Sequence, residues 1–220
     1  MNLTDSLIPA GWQWLWLVAG LVFGQALWLA PWRVMGRSGL IHVMLGACML
    51  VLAYWQIHAG IRPGLNLHLL GATLLVLLFG PRFALLGILL VLAIQSAWFG
   101  HAWQAFAANA LILGVVPVTV SWGVYSLADS RLPNNLFVYI FVNAFFGSGL
   151  AVLATGLAAT GLLVAMGDYS WVDLSHTYLP YYYLMAWSEA VSTGMLMTVL
   201  VVYRPQWVAT FDDKTYIHNK

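Results

Sequence analysis

The sequence is a succession of apolar runs, at roughly 11–31, 39–58, 65–80, 83–100, 103–127, 135–166 and 177–203, separated by short stretches that hold every Arg, Lys and Asp. A helix needs about 20 apolar residues to cross the hydrocarbon core of a bilayer. Most of the runs are that long. Only 7% of the residues are charged, against about 25% in soluble domains, so the chain cannot coat a water-facing surface. It reads as an all-α integral membrane protein of about seven transmembrane helices. The third run is short and glycine-flanked, and is expected to tilt, re-enter or lie buried among the others. The sixth is long enough to tilt or break near its glycines.

Lys and Arg placement sets the expected orientation. With the N-terminus outside, the cytoplasmic pieces carry Arg33, Arg37, Arg82, Arg131, Arg204, Lys214 and Lys220, and the outer pieces only Arg62. This predicts the N-terminus outside and the C-terminus in the cytoplasm, in a cell inner (plasma) membrane. The opening MNLTDSLIPAG lacks Lys and Arg, contains Asp5 and leads into a run long enough to span, so it reads as the mature start rather than a cleaved signal. No linker, low-complexity tract or repeat divides the chain. Residues 1–220 therefore read as one transmembrane domain, with a short, polar cytoplasmic tail at 204–220.

Several functions are excluded or unsupported. A formal net charge of +1 gives no basic footprint for nucleic acid. One cysteine, Cys48, allows no intrachain disulfide and no cysteine-cluster metal site. There is no Walker lysine motif and no HExxH pair, and Gly147-Ser148-Gly149 lacks the nucleophile-elbow pattern. The chain does not read as an enzyme, and it has no ATPase site with which to drive transport.

The histidines carry the chemistry that is left. On the expected topology His58, His68, His101 and His176 gather at the outer face, with Asp5, Asp168 and Asp173, while His42 and His218 lie inside. Neutral imidazole suits Ni, Co, Cu and Zn. His68, among Leu67, Leu69 and Leu70, is expected to enter the bundle on a ligand-presenting helix near the outer mouth, with Gly71 and Ala72 allowing close helix approach. Two further polar residues lie within the runs. Asn109 sits in AFAANALILG. Glu189, the only glutamate, sits in MAWSEAVSTG. An intramembrane carboxylate is costly and functional by default, and coupling of a site to movement is one role for it. A structural glutamate pairing with Asn143, Ser192 or Thr193 is the other reading. Glu189 lies about 20 Å along its helix from His176, and is expected to stand apart from an outer-mouth metal site. Gly20 and Gly24 in GxxxG spacing, and Gly156 and Gly161, point to close helix packing.

HLLGATLLVLLFGP (His68–Pro81) and GHAWQAFAANALILGVVP (Gly100–Pro117), with SEA around Glu189 and the closing VVYRP (Val201–Pro205), resemble the CbiM/NikM family. These are the membrane substrate-binding components of energy-coupling-factor cobalt and nickel transporters. The resemblance runs over most of the chain and is densest between 66 and 117. It implies a seven-span permease whose N-terminus folds into the outer mouth, a divalent transition-metal cargo with no resident cofactor, and partners in trans: a scaffold membrane subunit and ATPase subunits. It also implies that metal is held by the amine of Met1, by the amide and imidazole of a second-position histidine, and by a later imidazole, matched here by His68. Asn109 matches the asparagine of the family's Gly-Ala-Asn stretch, as support for the ligands. MNLTDSLIP matches the family's opening in length, in Asp5 and in Pro9. Position two departs: Asn2 stands in place of histidine. A carboxamide is a poor ligand for Ni or Co, so His101 or His58 would have to replace it.

The expected metal ligands are therefore Met1, His68 and His101, with affinity falling as pH drops through the histidine range, because protonated imidazole cannot ligate. Two alternatives remain open at the level of sequence. One is a structural or assembly subunit that has lost metal binding. The other is a haem- or quinone-binding membrane anchor with axial histidines.

Overall fold

The computed structural model describes residues 3, 5–62, 65–98, 103–167, 169–212 and 216. The apolar runs become helices α1 (Trp14–Leu29), α3 (Leu40–Gln56), α5 (Pro81–Trp98), α6 (Phe106–Arg131), α7 (Leu136–Met166) and α9 (Leu179–Tyr203), with short α2 (Trp32–Ser38) and α8 (Trp171–Thr177) at their ends. Four of them, α5, α6, α7 and α9, are long and apolar enough to cross a membrane; α1 and α3 are shorter apolar helices. The outward surface is itself apolar, with Leu17 72%, Leu21 75% and Trp28 85% exposed. Such patches would drive association in water. Here they face lipid, and the protein is a multi-pass membrane protein.

The third run does not form a simple spanning helix. Leu65–Leu67 is a strand, β2, paired antiparallel with β1 (Ala59–Arg62) in the register Ala59 opposite Leu67 and Gly60 opposite Asn66. After it the chain passes through His68–Gly71 and only then forms α4 (Ala72–Phe79). Eight residues rise about 12 Å, less than half of a hydrocarbon core of about 30 Å. The residue that stops the helix from starting earlier is Gly71, in the left-handed region at φ +68°. A Cβ there would stand 2.6 Å from Cγ2 of Val51.

All eight residues of α4 are buried. A half-length helix in the middle of a bundle exposes two ends, each with backbone groups that its own turns cannot satisfy, and in an apolar interior these must find partners. At the first end the two carboxylate oxygens of Glu189 accept from the amides of Leu70 and Gly71, at 2.7 Å each. At the last end the carbonyls of Leu77 and Leu78 accept from the amides of Thr210 (3.3 Å) and Ala209 (2.9 Å). The chain after α9, read from sequence as a polar tail, thus packs back under α4, with Val208, Thr210, Phe211 and Tyr216 buried.

Two helices carry π turns, at Ala110–Val115 in α6 and Tyr139–Phe146 in α7. The first is followed, after Val116, by Pro117. Proline lacks an N–H and its ring clashes with the carbonyl four residues back, and the widened turn accommodates it. The second leads into Gly147, where a Cβ would stand 3.3 Å from the carbonyl of Val142.

Candidate functional site

His68 lies in the loop between β2 and α4, only 3% exposed. It is not presented by a helix, because the left-handed Gly71 separates it from α4. Its ring packs on the indole of Trp55 at 4.6 Å between centroids. Nδ1 stands 3.0 Å from the carbonyl of Leu69. A carbonyl only accepts, so Nδ1 carries the hydrogen and the lone pair lies on Nε2. The same indole donates from Nε1 to the carbonyl of Leu70 at 3.2 Å. Trp55 is itself fully buried, so its one side chain fixes both the plane of the imidazole and the backbone two residues on.

Glu189 does not pair through its carboxylate with Asn143, Ser192 or Thr193. Its carboxylate spans the amides of Leu70 and Gly71; Ser192 and Ser148 instead approach its main-chain carbonyl, at 3.2 and 3.4 Å. It reaches the loop that carries His68 through the backbone of Leu70 and Gly71. The hairpin carries the His68 loop down to the level of Glu189, near the middle of α9, and the two residues meet through one loop. A carboxylate suits the N-terminal end of a helix, where unpaired amides and the helix dipole present positive charge.

Asn109, buried in the first turn of α6, clasps the N-terminal segment. Its Oδ1 accepts from the amide of Leu3 at 2.8 Å and its Nδ2 donates to the carbonyl of Leu3 at 3.0 Å. This is the pairing of a strand neighbour, made by one side chain. Leu3 is 2% exposed. Two residues further on, Oδ1 of Asp5 accepts from the amide of Ala105 at 2.9 Å, so a second side chain ties the same segment to the turn before α6.

Met1 and His101 lie outside the described residues. His58 is exposed at the end of α3, with Nδ1 3.0 Å from the carbonyl of Gln56. His42 is exposed on α3, and His176 on α8. Among the described residues, no group of three or more His, Cys, Asp or Glu side chains comes together that could hold a metal ion. The described part of the chain therefore offers one buried imidazole, rigidly oriented, and a clasped N-terminal segment. Sequence reading missed Trp55 and the backbone partner of Glu189. Trp55 sits three residues before His58, at the end of an apolar run where a tryptophan reads as an interfacial anchor; nothing local signals that it turns inward.

Comparison with known proteins identifies the family and the fold. Residues 2–207 match the CbiM family, described as the cobalt uptake substrate-specific transmembrane region. The chain is 33% identical over 116 residues to the probable fused nickel transport protein LarMN of Lactiplantibacillus plantarum, covering 52% of this chain and 35% of that protein. It is 29% identical over 164 residues to the cobalt transport protein CbiM of Desulforamulus reducens, covering 71% of this chain and 62% of that protein. The matches thus span about a third and about three fifths of these two relatives. Two crystal structures share the fold. One, of a truncated transition metal transporter, has a TM-score of 0.71 at 22% identity and covers 92% of this chain and 99% of that one. The other, of a transition metal transporter, has a TM-score of 0.74 at 20% identity and covers 91% and 92%. These relatives are transport components and not enzymes. The chain belongs to the CbiM family.

Proposed function

We propose that this protein is the membrane substrate-binding component of an energy-coupling-factor transporter, and that it takes up a divalent transition-metal ion, nickel or cobalt, across the plasma membrane. The observation that carries the reading is the Asn109 clasp on Leu3. It seats the N-terminal segment inside the bundle, and two residues of chain reach about 7 Å beyond it. The amine of Met1, two residues ahead of Leu3 in the sequence, is the ligand this reading assigns to the segment. His68 supplies an imidazole with its lone pair on Nε2, held by Trp55. Soft-to-borderline nitrogen donors of this kind suit Ni and Co. His101 is the candidate for the donor that Asn2 cannot supply. The basic stretches at the other end of the spans support an outer location for this site. A scaffold membrane subunit and ATPase subunits complete the transporter, since the chain has no nucleotide motif of its own.

The test is to lengthen the N-terminus. Nickel and cobalt binding is measured by calorimetry on detergent-purified protein starting at Met1, and on protein with two extra residues ahead of Met1. Binding to the first and a loss of at least about tenfold in the second, 1.4 kcal/mol, is expected. Equal binding by both removes the amine from the site. A second reading, a structural subunit that no longer binds metal, is favoured by one observation: Asn2 at the position where the family's histidine stands. It expects no binding by either protein.

A further inference from the structure

One continuous run of chain, from Glu189 on α9 to Thr210 beyond it, holds α4 at both ends. Glu189 takes the amides of Leu70 and Gly71. Some twenty residues later the same run takes the far end. Thr210 Oγ1 donates to the carbonyl of Leu77 at 2.7 Å, and the amide of Ala209 donates to that of Leu78 at 2.9 Å. Because Thr210 Oγ1 has given its hydrogen to Leu77, the hydroxyl of Tyr139 must be the donor in their 2.6 Å contact. Tyr125 donates to the Thr210 carbonyl at 3.3 Å. The rings of Phe211 and Tyr216 stack on each other and meet Tyr139 edge-on, and Tyr216 donates to Asp129 at 3.3 Å. The segment is therefore locked to α6 and α7 as well as to α4. Between its two held ends α4 is a buried rod of eight residues, and close-packed interiors transmit displacement rather than absorb it.

We propose that Thr210 is a positioning residue for the ligand loop: it sets, through α4, where His68 stands, so that the face of the protein at which α9 ends controls the geometry of the metal site at the other end of α4. The inference rests on the proposed metal-binding function for its consequence, and on geometry alone for the coupling. A change in the strap shifts α4 along its axis. The hydrogen bonds of Leu70 and Gly71 to Glu189 are then the first to open, because they lie at the opposite end of the same rod.

The experiment measures hydrogen exchange by mass spectrometry, and nickel affinity, on the full chain in detergent. It compares the native protein with Thr210→Val, Thr210→Ser and the milder Tyr139→Phe. Loss of one hydrogen bond shifts a local opening equilibrium about fivefold. Thr210→Val is expected to speed exchange in peptides covering 68–74 about fivefold, with α1 and α5 unchanged, and to weaken nickel binding by a similar factor. Thr210→Ser restores both. Tyr139→Phe moves both in the same direction by less, and decides the matter should Thr210→Val not fold. Exchange at 68–74 that stays native while 205–212 opens overturns the proposal. So does exchange that rises uniformly through α5, or nickel affinity that is unchanged when 68–74 has loosened. If the native protein binds no nickel, the functional reading fails while the exchange data still decide the coupling.

Discussion

Gly71 meets two demands at once. Its φ of +68° lies where an L side chain costs about 1–2 kcal/mol, and its missing Cβ leaves room for Val51, which would otherwise be 2.6 Å away. Gly71→Ala should therefore lower stability by more than the backbone term alone. Adding Val51→Ala should recover only the steric part. Thermal unfolding of the single and double variants in detergent separates the two; a single variant as stable as the native protein would contradict the left-handed assignment. His68 illustrates how far residue-level reading goes. Its burial was legible from its apolar neighbours. Its support was not, because the ring of Trp55 comes from α3 and the carboxylate of Glu189, which holds Leu70, from 119 residues along the chain from that amide.

At the scale of elements the decisive feature is a helix that is too short. Hydropathy averages over 65–80 see one apolar run, since strand, loop and half-helix here are equally buried and equally apolar. The signal that was present lay in the two glycines, Gly71 and Gly80, both of positive φ, which bracket α4. The other helices were legible because each is a long apolar stretch between charged ends. The cap on α4 gives a prediction of its own. Glu189→Gln places an amide donor opposite one backbone N–H that it cannot satisfy. Each stranded buried donor costs about 1–3 kcal/mol. Unfolding in detergent should shift by that amount, and metal affinity should fall although Glu189 is no ligand, because the His68 loop loses its anchor. Glutamine that leaves both unchanged would show that the loop is held by Trp55 and the hairpin alone.

For the molecule as a whole, the spans alternate so that Arg33, Arg82, Arg131 and Arg204 fall at one end of the bundle and Arg62 at the other. The hydrogen bond from Arg82 to the carbonyl of Leu29, at 2.9 Å, sets the start of α5 beside the end of α1. By the positive-inside rule we propose that end as the cytoplasmic one. Cys48 is buried, so single cysteines can be read against a silent background. In intact cells a membrane-impermeant thiol reagent should label His58→Cys and should reach Leu132→Cys only after permeabilisation. The reverse pattern would invert the protein and remove the outer capture site.

Metal capture itself is tested most directly by metal stoichiometry and affinity of the protein with its native, untagged N-terminus, beside His68→Ala. One nickel or cobalt ion per chain, lost in the variant while its unfolding temperature is kept, is the expected result. Equal affinity in the variant, or none in the native protein, would mean that the CbiM fold is present here without the metal site built on His68.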